Sequence, residues 1–66
     1  MPADATRTEA EIIATAFEDR VRELFKVLAE AVYTGEPERD ATARFRRGLI
    51  SAKRVRDMAL EVAKDA

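Results

Sequence analysis

Two long amphipathic segments meet at Gly35-Glu36-Pro37, and the apolar stripe on each is broader than one helix–helix contact can cover. That combination limits the fold more than any other feature of the chain. At 66 residues there is room for one small domain. Chains of this size rarely bury enough apolar surface alone, and disulfides, a metal or oligomerisation usually make up the shortfall. The chain has no cysteine, which removes disulfides, zinc–thiolate sites and thiol chemistry. It has no histidine either, so the commonest metal ligand and the best proton carrier near neutral pH are missing. Oligomerisation remains.

The first segment has a defined start. Thr8-Glu9-Ala10-Glu11 reads as a capping box, and Thr6 with Glu9 offers the same pattern two residues earlier. Ala10, Ala14, Phe17, Val21, Leu24, Leu28 and Ala31 follow in steps of three and four, the spacing of a helix packed in a bundle. Ile13, Phe25 and Val32 flank that row. Gly35 is suited to close the helix in the left-handed conformation, and Pro37 to open the next in its first turn.

The second segment carries an inner row of Ala41, Phe45, Gly48, Ala52, Val55, Ala59, Val62 and Ala66, widened by Leu49, Leu60 and Ala63. A glycine inside a helix costs about 1 kcal/mol relative to alanine, which implies a packing reason for Gly48. In an antiparallel hairpin turning near residue 36, Gly48 falls opposite Leu24. The expected organisation is a flexible segment over 1–7 and a helical hairpin over 8–66. Within it, helix 1 runs over about 8–34, the turn over 35–37 and helix 2 over about 37–65.

Each helix is about 40 Å long at 1.5 Å per residue. Pairing two hairpins into an antiparallel four-helix bundle would bury both broad stripes, with Phe17, Val21, Leu24, Leu28, Phe45, Leu49, Val55 and Val62 as its core. The expected fold class is therefore all-α, an antiparallel hairpin that dimerises. The layout is similar to that of the small plasmid RNA-binding helical hairpins of the Rop type, two-helix chains of near-equal length that dimerise. The similarity is one of length and pattern over most of the chain, and it carries no functional residue across.

Nothing in the sequence resembles a catalytic constellation. Glu18, Glu23 and Glu30 each have a basic residue three or four positions away (Arg22, Lys26 and Lys26), the arrangement of ordinary helix-surface pairs. Asp19 and Glu23 could share a cation, but a di-metal bundle centre uses inward Glu-x-x-His pairs that this chain lacks. Ser51, the only serine, has no base near it in sequence. The expectation is a non-enzyme with no cofactor and no metal. No stretch approaches the roughly 20 apolar residues of a membrane span. Residues 1–8 lack an apolar signal-peptide core, so a cytoplasmic protein with no membrane partner is expected.

One charged feature stands out. Between residues 39 and 56 the chain carries Arg39, Arg44, Arg46, Arg47, Lys53, Arg54 and Arg56 against one acid, Asp40. Arg39, Arg46, Arg47, Lys53 and Arg54 share the helical face opposite the core, with Ile50 among them. Such a face follows a phosphate backbone or an acidic partner, or is simply solvated or answered by Asp19, Glu23 and Glu30 on a neighbouring helix. No aromatic interleaves the cations, which argues against stacking on single strands. Arg20 borders the first stripe and Arg56 lies inside the second, either snorkelling at the edge or fixing the register. The function expected is a dimeric interaction module, an adaptor or regulator with a protein partner. The alternatives are a nucleic-acid-binding regulator using the basic face and an accessory subunit of a larger complex.

Overall fold

The computed structural model describes residues 7–66, in which two helices pack antiparallel as a hairpin: α1, Glu9–Tyr33, and α2, Glu38–Asp65. Apart from Arg7, the segment expected to be flexible lies outside the described residues, as does the alternative cap Thr6. Thr8 is the N-cap of α1. The Glu11 backbone N–H donates to Thr8 Oγ1 at 3.1 Å, and the Thr8 N–H donates to Glu11 Oε1 at 2.9 Å. The box satisfies two of the donors that a helix start leaves without partners. Arg7 adds a second tie, donating to the Glu11 carbonyl at 3.1 Å and to Thr15 Oγ1.

The far end of α1 closes as a Schellman motif. Gly35 takes φ of +89°. Its N–H donates to the Val32 carbonyl at 3.1 Å and the Glu36 N–H to the Ala31 carbonyl at 2.9 Å. Pro37 stands just before the first helical residue, Glu38. It is the N-cap of α2, with ψ of 130°, and its carbonyl accepts from Asp40 and Ala41 at 3.0 and 3.1 Å. An extended ψ at the cap reverses the chain without losing a hydrogen bond, since proline has no N–H to satisfy.

Leu24 and Gly48 meet across the seam. A Cβ built on Gly48 would stand 2.5 Å from Leu24 Cδ2, so the glycine is the gap that admits the leucine. This contact sets the register and brings Ala31 level with Ala41, the two buried alanines beside the turn. Phe17, Val21, Leu24 and Leu28 of α1 are half-buried, as are Phe45, Leu49, Ala52 and Leu60 of α2. The hairpin goes no further. Among the described residues no large side chain is fully buried, and Val55 and Val62 remain 64% and 69% exposed.

The reason is the shape. The Cα atoms extend 45 × 27 × 7 Å, a slab one helix thick. The radius of gyration is 15.2 Å, against about 11 Å for a compact domain of this length. A slab of two helices has two open broad faces, and a stripe wider than the seam spills onto them. Among the described residues, no helix is long and apolar enough to cross a membrane.

Candidate functional site

The basic face predicted on α2 is present and solvent-exposed. Arg39, Arg46 and Lys53 recur every seven residues, as do Arg47 and Arg54, so each row repeats about every 10.5 Å along the helix axis. Ile50, 61% exposed, lies between the two rows. All five cationic side chains are exposed, and none makes an ion pair or hydrogen bond among the described residues. The face ends sharply. From Asp57 onward the same side of α2 carries Asp57, Glu61 and Asp65, and Lys64 pairs with Glu61 at 3.9 Å.

The two other arginines of this stretch are engaged. Arg44 forms an ion pair with Glu36, tying α2 back to the turn. Arg56 donates to Asp57 Oδ1 at 3.0 Å and holds its guanidinium 4.6 Å from the centre of the Phe17 ring. Its stem therefore fills the seam while its head is divided between a π face and a carboxylate. The sequence places Arg56 inside the stripe, but it cannot foresee the ring, because that contact crosses between helices.

Several surface pairings differ from those expected. Arg22 bonds Asp19 at 3.1 Å rather than Glu18. Glu23, Glu30 and Lys26 form no ion pair among the described residues. Both Arg22 and Asp19 are largely exposed, so this choice between adjacent acids is worth only tenths of a kcal/mol. Asp19 and Glu23 do not belong to any convergent group of three acids among the described residues. Tyr33 is 82% exposed at the end of α1.

A second surface went unread in the sequence. One broad face of the slab is grooved, with two adjoining depressions of about 400 and 530 Å³ that share Arg20, Gly48 and Ser51. The half nearer the open end of the hairpin is lined by Ile13, Ala16, Phe17, Ala52, Val55 and Ala59, with Arg20 and Arg56 at its sides. The half nearer the turn adds Val27, Arg44 and Arg47. Small residues on α2 (Gly48, Ser51 and Ala52) leave the trough open. The run of small residues from 48 to 52 was the available signal, broken only by Leu49 and Ile50, which point elsewhere. The backbone and side-chain hydrogen bonds from Thr8 hold the Glu11 carboxyl below the usual range. Searches of protein-family models, curated proteins and solved structures find no match to this chain.

Proposed function

We propose that this chain is a non-enzymatic interaction module, a hairpin that pairs with a second copy into a four-helix bundle and presents its outer faces to a protein partner. The observation that supports it best is the slab itself. A hairpin one helix thick, with no large side chain fully buried among the described residues, has only half of a two-layer core. The exposed Val27, Val55, Met58 and Val62 are the surface that a second layer would cover. Sedimentation at micromolar concentration is expected to give twice the mass of one chain. A helical monomer at that concentration would overturn the reading.

The five unpaired cations favour a second reading, in which the partner is a nucleic acid bound along the outer face of α2. Duplex binding would then fall steeply with salt, each phosphate contact adding about 0.9 to the slope of log affinity against log salt on DNA. Changing Arg46 and Arg54 together to glutamine should flatten that slope while leaving helix content and mass unchanged. Failure to retain duplex RNA or DNA at about 50 mM salt would leave the protein partner alone.

A further inference from the structure

We propose that the second copy seats on the grooved face of the hairpin, with both turns at the same end of the bundle and α1 of each copy lying over α2 of the other. This rests on the dimer proposed above and adds which face pairs and in which direction. The groove has two unlike halves. Towards the open end its walls are Ile13, Ala16, Ala52, Val55 and Ala59, and Val62 continues that row one turn beyond. Towards the turn, charge enters: both acids of this side lie on α1, where Arg20 and Lys26 stand beside them, and α2 supplies only cations. On α1, Glu23 lies between Arg20 and Val27 in the same i, i+3, i+4 row, and Glu30 follows beside Val27. On α2 the corresponding wall carries Arg44 and Arg47.

A two-fold axis can stack two such faces in two ways, and both leave neighbouring helices antiparallel. With turns at opposite ends, α1 lies over α1. The acidic rail would then meet its own copy or be pressed onto the apolar half. With turns at the same end, apolar half meets apolar half and the acidic rail of α1 meets the basic rail of α2. The register supports the closest pair. Because Leu24 stands level with Gly48, Glu23 of one copy comes within two residues, about 3 Å of rise, of Arg47 of the other. Arg44 already holds Glu36, so Arg47 is the cation left to answer Glu23. The opposite broad face offers less. Its α1 side exposes Phe25 and Val32, but its α2 side is crossed by Arg46, which has no acid three or four positions away, and by Lys53.

The chain has no cysteine, so a nitroxide can be placed at Tyr33→Cys without other changes. Pulsed electron resonance on the labelled dimer should give a separation of roughly 25 Å with turns together, against roughly 40 Å with turns apart, from helix length and interaxial spacing. Glu23→Arg and Arg47→Glu should each weaken the dimer several-fold, and the double swap should restore it to within about twofold. Phe25→Ser should leave the dimer intact, whereas Val55→Ser should weaken it. A labelled dimer at the long distance, a swap without rescue, or a dimer lost through Phe25 rather than Val55 would overturn this arrangement while leaving dimerisation standing. A native chain that sediments as a monomer would overturn both.

Discussion

At the scale of single residues, Gly48 and Arg56 carry the most structural information. A methyl on Gly48 would meet Leu24 Cδ2 at 2.5 Å, so Leu24 must move. In a lone hairpin it could swing into the groove beside it, and the alanine would then gain about 1 kcal/mol of helix propensity. In the proposed dimer that outlet is filled, and overpacking of 1–3 kcal/mol outweighs the gain. Gly48→Ala is therefore expected to lower the thermal midpoint, by a net cost of about 1 kcal/mol. A raised midpoint would show that the groove stays open. Arg56 presents the opposite balance. Its stack on Phe17 is worth about 0.5–1 kcal/mol, less than a leucine gains by burying apolar surface at a half-buried seam position. Arg56→Leu should raise the midpoint without altering mass. Mixed oligomers by light scattering would instead assign Arg56 to selecting the register. The part of Gly48 was legible from spacing alone, because a hairpin with one turn has one register. The ring under Arg56 was not, because helical period says which side a residue faces and not which partner it finds.

At the scale of elements, the devices that start and stop the helices each have their own chemistry. The box at Thr8, the glycine at positive φ and the proline that follows are local devices, and no tertiary contact is needed to place them. The α2 stripe was harder. A row of threes and fours from Ala41 to Val62 merges two surfaces: the seam, which runs through Phe45, Leu49, Ala52, Arg56 and Leu60, and the groove wall at Val55 and Val62. Apolar periodicity does not separate them, since one wide stripe serves both. The cap of α1 makes a pH prediction. Glu11 titrates below the usual carboxylate range because its ionised form accepts from the Thr8 backbone and side chain. A group with a depressed folded value contributes fully above its unfolded value and loses the contribution as pH falls through the folded one. Helix content measured by circular dichroism should thus hold at neutral pH and fray at the start of α1 below about pH 4. Thr8→Ala should cost about 1 kcal/mol at neutral pH and abolish that part of the acid dependence. An acid profile unchanged by Thr8→Ala would show that the fraying arises elsewhere.

At the scale of the whole molecule, shape decides between a self-sufficient hairpin and half of a bundle. Seven ångströms of Cα thickness leave no interior in which a large side chain could be enclosed on all sides. Two buried alanines and a row of half-buried seam residues leave little to set against the conformational entropy of some sixty ordered residues, whose backbone alone costs about 1–2 kcal/mol each to fix. Folding should therefore be coupled to association, with the unfolded chains as the only separated state. Unfolding of a dimer into two chains depends on concentration by mass action, and each tenfold change is worth about 1.4 kcal/mol. With about 2.1 cal/mol/K of unfolding entropy per residue over two chains, the melting midpoint should rise by about 5 °C for each tenfold increase in protein. Leu24→Asp places an unpaired charge in the seam beside Gly48 and should abolish helix and dimer together rather than release folded hairpins. Thermal scans by circular dichroism between about 5 and 500 µM test the coupling directly. A midpoint independent of concentration would mean that the slab is stable alone, and that its grooved face awaits a different partner.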